Sequence, residues 1–149
     1  DDAIALNDFV IKGCMTSRTS KFYLEINDKF VCDYIADGLI ISTPTGSTAY
    51  GLSAGGPVLF PTLDALVIVP ICPHTLNARP LVVPIGETIK VKTSDKLLSV
   101  AVDGFDATEN VKEISIKTSQ KRAVLAFLND DGFYSVLRNK LHWGISPTN

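Results

Sequence analysis

Residues 37–57 read DGLIISTPTGSTAYGLSAGGP and join a short apolar run to a segment rich in hydroxyl side chains and glycine. The apolar run, residues 39–41, is continuous and largely β-branched, which predicts a buried strand. Pro44 ends this strand, because proline donates no ladder hydrogen bond and restricts the residue before it. Gly46 permits backbone conformations closed to other residues, and a short helix is predicted to begin at 49–52. A helix cap needs only one hydroxyl, so this segment predicts a site for a polar ligand.

Short strands recur at close spacing along the rest of the chain. Residues 22–26 and 30–32 flank the polar turn 27–29 and predict a hairpin. Other apolar or alternating runs predict strands at 66–69, 81–83, 88–93, 97–102, 113–117 and, as a buried run, 123–128. Turns are predicted at 94–95 and 120–121.

Two helices interrupt the strands. The first lies between residues 48 and 60, and the second begins near Asp130 or Asp131 as its cap. The second helix places Phe133, Val136, Leu137 and Leu141 on one face, with Gly144 after its end. The fold class that we predict is mainly β: a two-sheet distorted β-sandwich with a short helix after the Thr-Pro-Thr-Gly turn and a C-terminal helix.

Composition limits the classes of function. A chain of 149 residues with 46% hydrophobic content predicts one domain, here 1–149. The formal net charge of -2 leaves no basic patch for nucleic acid, and no apolar run approaches the roughly 18 residues of a membrane span. Three cysteines without a C-x-x-C pair favour reduced thiols in the cytoplasm over disulfides or zinc. His74 and His142 lack metal-ligand spacing, so no metal site is expected. Because the chain begins Asp1-Asp2, we interpret it as a fragment of a longer polypeptide.

Several ordered motifs together resemble one family, the C-terminal domain of NAD kinases. They cover nearly the whole chain and are ALND at 5–8, DG at 37–38, TPTGSTAY at 43–50, SAGGP at 53–57, PICPHTLNARP at 70–80, VDG at 102–104 and LRNKLHWG at 137–144. The resemblance implies transfer of the γ-phosphoryl group of ATP, or of polyphosphate in some members, to the 2′-hydroxyl of the adenosine ribose of NAD, giving NADP.

The resemblance also implies what this chain lacks. The family's Gly-Gly-Asp-Gly motif, with the catalytic aspartate, belongs to an N-terminal domain and does not occur in this sequence. We therefore expect no catalytic residue here, an inactive isolated fragment, and Mg2+ or another divalent cation acting with ATP in the complete enzyme. The family further implies a homodimer or homotetramer, and a C-terminal segment that returns toward the N-terminal domain and leaves Trp143 exposed in this chain.

Site residues follow from the resemblance, position by position. Asn7 is expected at the adenine, and Asp8 at ribose hydroxyls, where the family more often has Glu. Asp37 is expected near the nicotinamide carboxamide. Cys72 and His74 are expected near the nicotinamide-side pocket, with a contribution to a neighbouring subunit as one arrangement.

The segment after the strand supplies the remaining contacts. Thr45 presents a hydroxyl to the ligand, Thr48 and Ser53 lie near adenine, and the small side chain of Ala49 lets the backbone approach. Tyr50 is expected along the ribose and phosphates. Asp103 is expected near the active cleft. We expect Asn7, Asp37 and the segment ending at Ser53 to converge around one adenine dinucleotide.

Structural interpretations stand beside these roles. Asn7 and Asp8 could cap a turn, Tyr50 could be a core aromatic, and Asp103 with Gly104 makes a turn by itself. Arg79 is expected to stabilise the 70–80 loop by pairing with carbonyls. At the level of function, the alternative is a non-catalytic module that senses NAD or NADP or drives oligomerisation. A lipid kinase of the broader superfamily is disfavoured by residues 45–50.

Overall fold

The computed structural model of this chain describes residues 3–14, 19–93, 97–126 and 132–144. Ten strands and two helices lie in this part of the chain. The strands are β1 (Asp8–Gly13), β2 (Ser20–Ile26), β3 (Lys29–Ala36), β4 (Gly38–Ser42), β5 (Ala65–Ile71), β6 (Leu81–Pro84), β7 (Ile89–Lys92), β8 (Leu98–Val102), β9 (Phe105–Val111) and β10 (Glu113–Ile116). A single 3-10 turn at Gly46–Thr48 leads into α1 (Tyr50–Ser53), and α2 spans Phe133–Leu141.

The strands form two antiparallel sheets. The six-stranded sheet has the order β6-β5-β4-β1-β8-β9, and the four-stranded sheet has the order β10-β7-β2-β3. One buried cluster joins the inner faces of both: Ile11, Leu39 and Ile68 come from the larger sheet, and Phe22 and Val91 come from the smaller one. The two-sheet, mainly β fold predicted from the sequence is therefore confirmed.

β4 lies inside the larger sheet with both faces covered, which explains its unbroken apolar sequence. Leu39 and Ile41 face the cluster between the sheets. Ile40 points to the opposite face and packs in a second cluster with Leu59, against which Ala54 also packs. The segment after β4 thus turns back over the outer face of the sheet, and this return places the hydroxyl-rich turn at the end of β4.

The predicted hairpin and both helices are present. Strands β2 and β3 pair around Asn27 and Asp28, whose φ angles of 50° and 60° are those of a two-residue hairpin turn. The cap of α2 is Gly132, with no side-chain hydrogen bond, and the predicted caps Asp130 and Asp131 lie outside the described residues. Trp143 is exposed, as expected.

The predicted buried strand at 123–128 is wrong over its described part, 123–126. These four residues form no strand, and the side chain of Val124 is 92% exposed. An apolar run is buried only where another element covers it, and β10, the nearest preceding strand, pairs with β7 instead. Residues 127–128 and the predicted turn at 94–95 lie outside the described residues. No helix among the described residues has the length and apolar character needed to cross a bilayer.

Candidate functional site

The start of β1, the end of β4 and the end of β8 lie side by side at one end of the strands of the six-stranded sheet. Asp8 lies opposite Ser42 in the β1–β4 pairing. On the other side of β1, the β8–β9 turn at Asp103 and Gly104 lies at the same end of the sheet. Asn7, just before β1, therefore lies between two turns that are distant in sequence.

Asp103 binds the backbone on one side of this segment. Its Oδ2 accepts the N–H of Leu6 at 2.8 Å, and its Oδ1 accepts the N–H groups of Asn7 at 2.7 Å and Asp8 at 3.1 Å. The N–H of Asp103 in turn donates to the carbonyl of Asp8 at 3.0 Å. Asp103 has a φ of 49° and Gly104 a φ of 86°, so the tight turn between β8 and β9 aims the carboxylate at residues 6–8.

The turn after β4 binds the same segment from the other side. The N–H of Thr43 donates to the carbonyl of Asn7 at 2.9 Å, and its Oγ1 donates to the carbonyl of Leu6 at 2.7 Å. Ser42 Oγ lies 3.2 Å from the same Asn7 carbonyl, and Gly46 N–H donates to Thr43 Oγ1 at 3.1 Å. Leu6, Asn7, Asp8, the turn 43–46 and Asp103 are called the Asn7 cluster below.

Two carboxylates share the Asn7 cluster in different environments. Burial raises the pKa of Asp8, and the negative charge of Asp103 raises it further. Burial would also raise the pKa of Asp103, but the N–H groups of Leu6, Asn7 and Asp8 outweigh it and hold that pKa below the usual value. Asp103 is therefore the carboxylate that the fold stabilises as an anion, whereas folding destabilises the ionised form of Asp8 relative to the unfolded chain.

Asp8→Asn is expected to stabilise the chain at neutral pH. A carboxyl whose pKa is raised by folding binds more protons in the native state, so wild-type stability falls as pH rises above its ordinary pKa of 3.8. The variant lacks this penalty, and its melting temperature should exceed that of wild type at pH 7, with the difference shrinking toward pH 4. Thermal unfolding at both pH values measures it. The exposed Asp106→Asn variant is the control, and a lower melting temperature for Asp8→Asn at pH 7 would contradict this account of Asp8.

The hydroxyls of the 43–50 segment divide into internal and available groups. Ser47 is buried, donates to the Pro44 carbonyl at 2.6 Å and accepts the Leu59 N–H at 2.9 Å, so its role is to join the turn to the returning segment. Thr48 Oγ1 donates to the Thr45 carbonyl at 3.2 Å and can still accept a hydrogen bond. Both Thr45 and Thr48 are half-buried.

α1 carries the remaining predicted residues of this segment. Ala49 separates the 3-10 turn from α1 and is half-buried. Tyr50 begins the helix with its side chain 40% exposed, and Ser53 ends it, also exposed. Three residues apart, the two lie on one side of the helix. Tyr50 is thus not a core aromatic.

A second group of predicted residues, the Asp37 cluster, consists of Asp37, Cys72 and His74. The N–H of Asp37 donates to the Ile71 carbonyl at 2.9 Å, and the N–H of His74 donates to the Ile35 carbonyl at 2.8 Å. All three members are exposed, and Cys72 has a φ of 44°.

β4 separates the two clusters. Asp37 precedes this strand and Thr43 follows it. At about 3.3 Å per residue of extended chain, the Cα atoms of these two residues lie about 20 Å apart. Within one chain, therefore, Asn7, Asp8, Asp103 and the 43–53 segment lie together. Asp37 was expected to converge with them, but it lies at the other end of β4.

The loop after Cys72 is stabilised internally. Nη1 of Arg79 donates to the carbonyls of Leu76 and Ala78, both at 2.9 Å, as expected from the sequence. An open depression of about 320 Å³ lies on this loop, lined by Pro73, His74, Thr75, Leu76, Ala78 and Arg79. One of its lining residues, His74, is predicted to lie near the nicotinamide, and none of them belongs to the Asn7 cluster.

Sequence reasoning missed the structural role of Thr43 and the internal role of Ser47. The signal for Thr43 was present, since Ser or Thr before a Pro-x-Gly turn commonly binds backbone groups nearby. Among the described residues, no three His, Cys, Asp or Glu side chains come close enough together to hold a metal ion.

Comparison with known proteins matches this sequence to one family. The family model described as "ATP-NAD kinase C-terminal domain" matches residues 6–128. The NAD kinases of Pseudomonas fluorescens (strain Pf0-1) and Azotobacter vinelandii are each 44% identical to this chain, covering 94% of it and 49% of their own lengths. The chain thus spans about half the length of these curated relatives.

Two solved structures are similar in fold. Yeast NADH kinase complexed with NADH has a TM-score of 0.85 and 31% identity, covering 97% of this chain and 44% of its own. An NAD kinase from Archaeoglobus fulgidus in complex with ATP has a TM-score of 0.73 and 31% identity, covering 78% of this chain and 46% of its own. This chain belongs to the ATP-NAD kinase C-terminal domain family.

Proposed function

We propose that this chain forms the NAD-binding half of an NAD kinase, which transfers the γ-phosphoryl group of ATP, or of polyphosphate, to the 2′-hydroxyl of the adenosine ribose of NAD. The observation that carries the proposal is the Asn7 cluster. Its hydrogen bonds hold the segment of Asn7 and Asp8 against the 43–46 turn. Two polar side chains and a hydroxyl-rich turn therefore lie together at one end of the sheet. The family assignment and the neighbour complexed with NADH support it.

The chemistry of the Asn7 cluster suits the adenosine end of the dinucleotide. A carboxamide both donates and accepts hydrogen bonds, as does an adenine edge, so Asn7 pairs with the base. The carboxylate of Asp8 accepts hydrogen bonds from ribose hydroxyls. Binding at a diol also replaces some of the hydration that Asp8 loses on folding. Asp is shorter than the Glu more frequent in the family, which moves this contact closer to β1.

The 45–53 segment completes the adenosine site. Thr45, Thr48 and Ser53 offer hydroxyls, and the half-buried Ala49 leaves room for the ligand beside the backbone. Tyr50 contributes a flat face and a hydroxyl for the ribose and phosphates. These contacts are mostly neutral, which suits a dinucleotide better than a triphosphate alone.

A phosphoryl donor is usually bound by lysine, arginine or magnesium, whereas the proposed adenosine site offers mostly neutral groups. Phosphoryl transfer depends on positioning and on stabilising developing charge. The ion pairs in the described part of the chain lie on the four-stranded sheet, where Lys21, Lys90 and Lys92 bind carboxylates. We propose that the catalytic aspartate belongs to a Gly-Gly-Asp-Gly domain outside this sequence and that a divalent cation enters with ATP. The chain alone should give no turnover, and the complete enzyme should be cytoplasmic.

We also propose that the complete site is shared between two copies in a homodimer or homotetramer. The Asp37 cluster lies about 20 Å along β4 from the Asn7 cluster, at the far end of the strand. β3, an edge strand of its sheet, exposes Phe30, Val31 and Ile35, and the chain passes from this strand directly into Asp37. Apolar side chains on an edge strand favour pairing with another chain. Such an interface would bring the Asp37 of one copy toward the nicotinamide bound at the other.

Asn7→Ala in the complete protein that carries this chain tests the proposed function. Loss of the base contact should raise the KM for NAD about tenfold or more, and should change the KM for ATP much less. Tyr50→Phe should act in the same direction with a smaller effect. Ser115→Ala, exposed on the other sheet, is the control. Steady-state kinetics with each substrate varied in turn gives both constants, and equal increases for NAD and ATP would refute the assignment.

A further inference from the structure

Every backbone N–H and C=O group of residues 6–8 already has a hydrogen-bond partner within the protein. Its three N–H groups all donate to the Asp103 carboxylate. The carbonyl of Leu6 accepts Thr43 Oγ1, that of Asn7 accepts the Thr43 N–H, and that of Asp8 accepts the Asp103 N–H. Only the side chains of Asn7 and Asp8 remain to recognise a ligand from this segment.

Asp103 and Thr43 are themselves occupied. Both carboxylate oxygens of Asp103 accept backbone N–H groups, one of them accepting two. Oγ1 of Thr43 donates its single proton to Leu6 and accepts the N–H of Gly46. The Thr43 hydroxyl therefore has no proton left to donate to a ligand, and the three backbone N–H groups already occupy most of the accepting capacity of the Asp103 carboxylate.

We propose that Asp103 and Thr43 are positioning residues that fix the Asn7 side chain relative to the 43–50 turn, and that neither contacts the dinucleotide. This assignment rests on the proposed function and gives Asp103, which the family resemblance placed near the active cleft, a role in ordering the backbone there. It also adds Thr43, which belongs to none of the ligand roles inferred from the sequence. Because the two residues act on opposite sides of one short segment, loss of either should let Asn7 shift away from the adenine.

Conservative substitutions in the complete protein test the two residues separately. Asp103→Asn keeps the shape but turns an NH2 group toward backbone donors, and Thr43→Val keeps the shape but loses the hydroxyl. Each should raise the KM for NAD about tenfold, as expected for loss of one hydrogen bond to a charged or buried group, with the KM for ATP nearly unchanged. Thr43→Ser retains the hydroxyl, so in contrast to Thr43→Val its KM for NAD should equal that of wild type. Asp106→Asn, exposed on the same hairpin, should have no effect.

The outcomes separate this inference from the proposed function. A selective rise in the KM for NAD in Asp103→Asn and Thr43→Val that is absent in Thr43→Ser, and that adds nothing further when either substitution is combined with Asn7→Ala, supports the positioning role. A further rise in the Asn7→Ala background would show a direct contact with the ligand and overturn it. An unchanged KM for NAD in both, or equal rises for NAD and ATP, overturns it. If Asp103→Asn does not fold, as judged by circular dichroism, the Thr43→Val and Thr43→Ser pair decides. If wild type itself shows no saturable dependence on NAD, the proposed function fails instead.

Discussion

Gly46→Ala is expected to abolish NAD binding and to lower the free energy of unfolding by about 3 kcal/mol, because a Cβ at this position overlaps the backbone of Asn7. The added carbon would lie 2.1 Å from the Asn7 carbonyl oxygen, 2.5 Å from its carbonyl carbon and 2.6 Å from its Cα. Relief requires the turn to move away from β1, which would break the hydrogen bonds from Thr43 to residues 6 and 7. Chemical denaturation and calorimetric titration with NAD measure the two effects.

Gly51→Ala is the matched control for this prediction. An added Cβ at Gly51 meets Gly46 O at 3.8 Å and Ser42 side-chain atoms at 3.9 and 4.0 Å, which is ordinary contact. Alanine also favours a helical backbone over glycine, so stability should be unchanged or slightly higher. A Gly46→Ala protein as stable as Gly51→Ala, with NAD affinity retained, would show that the turn does not approach Asn7 as described.

Activity lost in two separate variants is expected to return when the two are mixed, if the site is shared between copies. In the complete protein, Asn7→Ala weakens binding at one end of the dinucleotide site and Asp37→Ala at the other, so at NAD concentrations well below KM each variant loses most of its activity. A mixed dimer then contains one site with both residues intact. Random exchange should restore about a quarter of wild-type activity, since half of the dimers are mixed and one of their two sites works.

The controls for this experiment are the single variants, each taken alone through the same subunit exchange. Neither should regain activity. If both residues act within one copy, every site in a mixed dimer keeps one substitution, and the mixture stays at the level of its parents. That result would contradict the shared site but not the adenosine contact of Asn7, which the kinetics of the single variant test separately.

Local sequence patterns predicted the elements whose burial follows from their own residues. The apolar run of β4 and the Asn27-Asp28 turn of the first hairpin carry their signals within a few positions. β9 was missed because it is an edge strand whose residues are almost all exposed, so it shows no hydrophobic alternation. Residues 123–126 have the opposite property. Their apolar sequence predicts burial, but no described strand or helix covers them.

The candidate site shows the same division between local and distant information. The 43–50 motif identified the turn, and ALND at 5–8 identified its neighbour. The contact of Asp103 with Asn7 joins residues 96 positions apart, and only the order of strands in the sheet brings them together. The separation of Asp37 from the 43–50 turn, by contrast, follows from the local strand pattern of residues 39–41, and the expected convergence of the two would have required the chain to fold back within β4.

A crystal structure of the complete protein with bound NAD would show directly whether the Asn7 cluster binds the adenosine end of the dinucleotide. We expect the adenine ring beside the Asn7 carboxamide, the adenosine ribose at Asp8, and the nicotinamide approaching Asp37 of a neighbouring copy. Asp103 should still bind the backbone N–H groups of residues 6–8 in that complex. An adenine bound elsewhere, with the Asn7 side chain in solvent, would refute the proposed adenosine site.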